Sequence, residues 1–134
     1  MAGGKKILVV DDEVMILDMM KTALGHGGYE VFTAENAEKA LRILGPENIM
    51  VMFLDLSLPG MNGIELCKKI RKENQIAIIS AFTGYSNLFG LLECRAAGFD
   101  DFFEKPTDIK IILKAVQEAF EKLERWRTNE LDLV

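Results

Sequence analysis

Five short apolar runs alternate with five amphipathic segments along this chain, and few architectures accept that rhythm. The runs fall near residues 5–10, 30–34, 50–55, 77–83 and 101–105, and they are rich in Val, Ile, Phe and Met. Each is the length of a strand, whereas the segments between them return apolar residues at steps of three and four, the spacing of a helix buried on one side. Strand–helix alternation builds parallel sheet, because parallel neighbours can be joined only by a long crossover that a helix usually supplies.

The helices are delimited by their own punctuation. The first begins around Glu13, carries Ile16, Leu17, Met20 and Leu24 on one face, and ends at Gly25 and the Gly27-Gly28 pair. Asn36 is placed to cap a second helix that turns Ala37, Ala40, Leu41 and Leu44 inward. A third follows Gly63 with Ile64, Cys67 and Ile70 on its stripe and stops near Glu73-Asn74. Ser86 or Asn87 starts a fourth, closed by Gly98, with Leu91, Cys94 and Ala97 inward. There Leu88, Phe89 and Leu92 exceed what one stripe needs, which suggests an apolar partner surface. The last helix takes Thr107 as its cap and presents Ile109, Ile112, Leu113, Val116, Phe120 and Leu123. Its pattern fades after Trp126, so residues 5–126 are expected to form one domain and 127–134 a tail or linker remnant. Right-handed crossovers, with both sheet faces to be covered, predict a flavodoxin-like, doubly wound α/β fold of five strands in the order 2-1-3-4-5.

Composition removes several function classes. At 134 residues the chain suits one domain that needs no disulfide or structural metal to stabilise it. A net charge of −5 with scattered basic residues gives no electrostatic footprint for nucleic acid. No run approaches the length of a membrane span, and Met1-Ala2-Gly3-Gly4 lacks the apolar core of a signal peptide. Cys67 and Cys94 sit inside helical patterns, far from any ligand-spaced Cys or His, and read as buried reduced thiols. A cytoplasmic location is the expectation from these features. His26, the single histidine, lies between glycines and reads as an exposed loop residue.

The order 2-1-3-4-5 makes strands one and three neighbours, and that places chemistry at one edge. Strand one ends in Asp11-Asp12 and strand three in Asp55, which opens into Leu56-Ser57-Leu58-Pro59-Gly60. Open α/β sheets bind ligands outside the carboxyl ends of their strands, so three carboxylates meet where a ligand is expected. Their mutual repulsion calls for a cation, and a hard divalent ion such as Mg²⁺, which accepts two carboxylates and seeks phosphate oxygens, answers it. Asp55 then has the makings of a nucleophile toward phosphorus, since carboxylates do form acyl phosphates. Strands four and five end in Thr83 and Lys105, a hydroxyl and a point charge suited to phosphoryl oxygens. Taken singly these residues have plainer readings: Asp12 as a helix cap, Asp55 as a turn former, Lys105-Pro106 as a surface turn. Their joint occurrence at the ends of strands one, three and five favours a site.

Three ordered segments carry a resemblance. Val9-Val10-Asp11-Asp12-Glu13, Phe53-Leu54-Asp55-Leu56-Ser57-Leu58-Pro59-Gly60-Met61-Asn62-Gly63 and Gly98-Phe99-Asp100-Asp101-Phe102-Phe103-Glu104-Lys105-Pro106 resemble the signature segments of response regulator receiver domains of two-component systems. The resemblance covers essentially residues 5–125. It implies that Asp55 accepts a phosphoryl group from a phosphohistidine on a sensor kinase or phosphotransfer protein. It also implies that Asp12 and Asp55 ligate Mg²⁺, with Asp11 acting mostly through water and the carbonyl of Ser57 adding a ligand. Lys105 would pair with a phosphoryl oxygen. Both Ser80-Ala81 and Thr83-Gly84 suit the hydroxyl position. Thr83, 28 residues after Asp55 and 22 before Lys105, has the family spacing.

The family's switch aromatic maps onto Phe102, which would turn inward as Thr83 moves, altering the surface of helix four, strand five and helix five. Ser57 and Tyr85, two residues beyond Asp55 and Thr83, would tune the lifetime of the phosphorylated state. Asn62 replaces the commoner Asp of the turn and serves it equally well. Implied partners are the phosphodonor and a downstream effector, with homodimerisation common in the family. Rival readings fit less well. A haloacid dehalogenase-like phosphatase would want a second Asp at position 57, a flavodoxin-like carrier would not end strand one in Asp-Asp, and a degenerate scaffold would not retain every functional residue.

Overall fold

The computed structural model describes residues 4–84 and 88–132, with side chains throughout except at 88, 89 and 129–132. Five strands, β1 (Lys6–Val10), β2 (Glu30–Ala34), β3 (Val51–Leu54), β4 (Ile78–Thr83) and β5 (Asp101–Glu104), alternate with α1 (Val14–His26), α2 (Ala37–Leu44), α3 (Gly63–Glu73), α4 (Leu88–Ala97) and α5 (Ile109–Asp132). All pairings are parallel and the order is β2-β1-β3-β4-β5, as the alternation predicts. Successive side chains of a strand point to opposite faces, and the core divides accordingly. Leu8, Val10, Met52, Leu54, Ile79 and Ala81 pack with residues of α2, α3 and α4. Ile7, Val9, Val51, Phe53 and Phe82 pack instead with Leu17, Met20 and Leu24 of α1 and Ile112, Val116 and Ala119 of α5.

Several local details differ from expectation. Asp12 does not cap α1: Glu13 holds the cap position without a side-chain bond, and the Glu13 N–H donates to Asp11 Oδ1 at 2.9 Å. The Asp12 carboxylate is thereby left in solvent at the sheet edge. Asp108, rather than Thr107, caps α5, its carbonyl accepting from Ile111 and Ile112 and its carboxylate from Lys110 N–H. Thr107 instead turns its hydroxyl back to the Glu104 carbonyl. On α4, Leu91 is 40% exposed and lies outside the inward stripe, which Cys94 and Ala97 supply. On α3, Leu66 is buried and Ile64 only half-buried. His26 is exposed but belongs to the last turn of α1, and α5 runs on to Asp132, past the point where its apolar spacing fades. Asn36 caps α2 as expected, accepting from Lys39 N–H at 2.8 Å. The proposed starts of α4 at Ser86 or Asn87 lie outside the described residues.

Cys67 and Cys94 are both buried and unbridged in the core between sheet and helices. Burial pushes the Cys67 thiol up to about 11 and raises that of Cys94, so neither is a ready thiolate. Among the described residues, no helix is long and apolar enough to cross a membrane.

Candidate functional site

The register brings the predicted residues to one edge. Val10 pairs with Leu54 and Thr83 with Glu104, so Asp11, Asp55, Thr83 and Lys105 all stand at the carboxyl ends of their strands. Backbone bonds prolong each ladder by one step: Asp55 N–H donates to Val10 O at 2.9 Å, Asp11 N–H to Ala34 O at 3.0 Å and Lys105 N–H to Thr83 O at 2.8 Å. The side chains therefore leave the sheet from rigid backbone, which is what precise placement of a reacting group requires.

Asp55 is anchored further by its own loop. The Ser57 N–H donates to Asp55 Oδ1 at 3.2 Å, and Gly63 N–H donates to Leu56 O at 3.0 Å as α3 begins. Asn62 and Glu65 form a reciprocal capping box there, so the Asn found at the turn works as the cap of α3. Gly63 packs against the loop so closely that a Cβ would stand 2.1 Å from the Asp55 carbonyl oxygen.

Lys105 gathers the acidic residues. Its Nζ lies 2.6 Å from Asp11 Oδ2, 3.1 Å from Asp55 Oδ2 and 3.3 Å from Glu13 Oε1, and 5.6 Å above the Phe82 ring. Burial disfavours the ammonium, but the Asp11 contact and the charges of Asp55 and Asp11 outweigh it and hold Lys105 above the usual lysine range. It stays charged at any physiological pH. Asp11 shows the opposite balance: burial raises its carboxyl, and the Lys105 contact and the Glu13 N–H compensate only in part. Asp11 Oδ2 is buried, with the Lys105 ammonium at 2.6 Å as its ionic partner.

Asp11, Asp12 and Asp55 each present one carboxylate oxygen within 4.8 Å of the others. Such a set fits a hard divalent cation: the ligands are all carboxylate oxygen, and Asp11 and Asp55 are buried. Asp12, Glu13, Asp55, Ser57, Thr83, Gly84 and Lys105 line an open cleft of about 170 Å³ above the strands. Thr83 is fully buried beneath it and Ser57 stands exposed at its rim. Phe102 is half-buried against the α2–α3–α4 face of the core, next to neither Asp55 nor Lys105 in the contacts above. Tyr85 lies outside the described residues. Ser80 is buried inside β4, three residues before its end, which leaves Thr83 as the strand-end hydroxyl. Reasoning from the sequence missed Glu13 as a Lys105 partner. Its position beside Asp11-Asp12 at a strand end is the signal that could have shown it.

The acidic crevice with its largely buried lysine thus lies at the carboxyl edge of a 2-1-3-4-5 parallel sheet, where open α/β folds place their ligands. Residues 7–117 match the response regulator receiver domain, and the chain belongs to that family. It is 33% identical over 115 residues to sporulation initiation phosphotransferase F of Bacillus subtilis, covering 86% of this chain and 93% of that protein. It is 34% identical over 113 residues to a cyclic di-GMP phosphodiesterase of Thermotoga maritima, covering 84% of this chain but 30% of the enzyme. The crystal structure of a CheY-like receiver domain protein from Methanospirillum hungatei superposes with a TM-score of 0.88 at 32% identity, covering 92% of this chain and 98% of that one. The chain spans about half the length of several transcriptional regulators that it also matches.

Proposed function

We propose that this receiver domain is switched by phosphorylation of Asp55, in a two-component phosphorelay, from a phosphohistidine on a sensor kinase or phosphotransfer protein. The observation that carries this reading is the Lys105 ammonium held between the buried carboxylates of Asp11 and Asp55, 2.6 and 3.1 Å from their oxygens. Asp55 attacks phosphorus in line; the new O–P bond forms as the P–N bond breaks, and the imidazole nitrogen keeps the electron pair. Lys105 exchanges Asp55 Oδ2 for a phosphoryl oxygen, which offsets charge on the transferring group. The Thr83 hydroxyl donates to another, and Gly84 leaves room beside it. Asp12, Asp55 and the Ser57 carbonyl would hold Mg²⁺ directly, with Asp11 through water; bound there, the ion neutralises the carboxylates and the phosphoryl oxygens.

The output reading rests on exposed apolar residues of the last two helices. Leu91 and Leu92 of α4 and Ile111 of α5 are exposed, and Leu91 lines a surface cavity with Phe102 of β5, which is half-buried. Movement of Thr83 toward a phosphoryl group would open space for Phe102 to turn inward, changing what α4, β5 and α5 offer to an effector or a second copy. Water then returns the domain to its resting state, so the domain assists both its own phosphorylation and its own dephosphorylation. Ser57, exposed at the cleft rim, and Tyr85, which follows Thr83 by two residues in the sequence, would govern access of that water. Ser57→Ala and Tyr85→Ala are each expected to change the rate of phosphate loss severalfold, measured by decay of the adduct after donor removal, and unchanged rates in both would remove them from this role.

Incubation with acetyl phosphate and Mg²⁺ tests the reading as a whole. Intact mass should show one added phosphoryl group, absent after chelation of the metal and in Asp55→Asn. An adduct that persists in Asp55→Asn would place the acceptor elsewhere.

A further inference from the structure

Glu13 has a carboxylate that the proposed chemistry does not use. Its side chain is 64% exposed on the rim of the cleft, yet Oε1 reaches back 3.3 Å to Lys105 Nζ. Its backbone N–H is tied to Asp11 Oδ1 at 2.9 Å, which fixes where the side chain starts. Lys105 therefore has two buried acidic partners below it, Asp11 and Asp55, and one solvent-facing partner above. We infer that Glu13 is a positioning and specificity residue: it holds Lys105 from the solvent side and sets a negative charge across the entry of phosphodonors.

This inference rests on Asp55 being the acceptor. The charge acts on a donor according to the donor's own charge, because Glu13 repels a dianion about twice as strongly as a monoanion at the same place. Small free donors such as acetyl phosphate are thus disfavoured unless other contacts offset the repulsion, as a docked protein donor would supply. The field of a solvent-facing carboxylate is also screened by salt, whereas a packing effect of the side chain is not.

The experiment measures rates of phosphoryl incorporation from acetyl phosphate, a dianion at neutral pH, and from phosphoramidate, a monoanion, both with Mg²⁺. Glu13→Gln keeps the shape and removes the charge, and is expected to raise the acetyl phosphate rate about threefold at ~0.05 M ionic strength and little at ~0.5 M. The phosphoramidate rate should rise less, and Glu13→Asp, which restores the charge, should return the ratio of the two rates toward that of the wild type. A Glu13→Gln variant with an unchanged ratio, or with an effect independent of salt, would overturn the role of Glu13 while leaving Asp55 phosphorylation standing. Failure of the wild type to take up phosphate from either donor would instead overturn the reading on which it rests.

Discussion

Gly63→Ala is expected to lower the unfolding free energy by about 3 kcal/mol and the melting temperature by ~10 °C, while also lowering phosphoryl uptake. The added Cβ would stand 2.1 Å from the Asp55 carbonyl oxygen and 2.8 Å from the Leu56 Cα, both of them backbone atoms. No rotamer change relieves such a clash, so the β3–α3 loop must move, and it carries the Asp55 side chain and the Ser57 N–H bonded to it. Stability and site geometry should therefore fail together. Thermal denaturation and acetyl phosphate labelling of the same sample check this, and a variant that melts near the wild type and labels normally would contradict the close packing.

Arg71 is the second position where one substitution should have a large effect, here on stability with the carboxyl-edge site at a distance. Its guanidinium ends α3 by donating from Nε to Gly98 O at 2.9 Å, from Nη1 to Ala77 O at 2.7 Å and from Nη2 to Asp100 Oδ2 at 2.8 Å. Asp100 Oδ2 also accepts from Ile79 N–H at 2.8 Å, so one side chain ties α3 to the start of β4 and to the turn between α4 and β5. Only 17% of the Arg71 side chain is exposed, and truncation would strand several acceptors at once. Arg71→Ala is expected to destabilise by about 2–4 kcal/mol in urea unfolding. Arg71→Lys should recover only a fraction, because a single ammonium cannot serve three acceptors in a plane. Full recovery by lysine would show that charge alone matters there. Gly98, at φ +110° with Arg71 Cγ 2.8 Å from where its Cβ would be, belongs to the same clamp.

These two positions also mark the limit of what the sequence makes legible. Strands β1 to β5 and the faces of α1, α2 and α5 follow from periodicity, because burial on one side imposes a repeat of two or of 3.6 residues. The convergence of Asp11, Asp12, Asp55, Thr83 and Lys105 follows once the strand order is known, since strand ends in a parallel sheet share an edge. Arg71 bonding to residues around position 98, or Glu13 reaching Lys105, leaves no periodic trace, for contacts between distant segments depend on rotamers rather than on spacing. Gly63 looks like an ordinary helix start, and only the approach of the Asp55 carbonyl shows why a side chain is barred. Leu91 misleads for a related reason: the helical wheel allows it inward, but packing against α3 uses Cys94 and Ala97, whose neighbour Cys67 donates its thiol to the Ala97 carbonyl at 3.5 Å.

The central claim is that Asp55 carries the phosphoryl group as an acyl phosphate. Borohydride reduces an aspartyl phosphate to homoserine and leaves free carboxylates and phosphate esters unchanged, so it reads out both the residue and the bond. Protein phosphorylated with acetyl phosphate and Mg²⁺, reduced and then sequenced by tandem mass spectrometry should show homoserine at position 55 and aspartate at positions 11 and 12. Homoserine at another aspartate, or a stable phosphate ester with position 55 unmodified, would contradict the account.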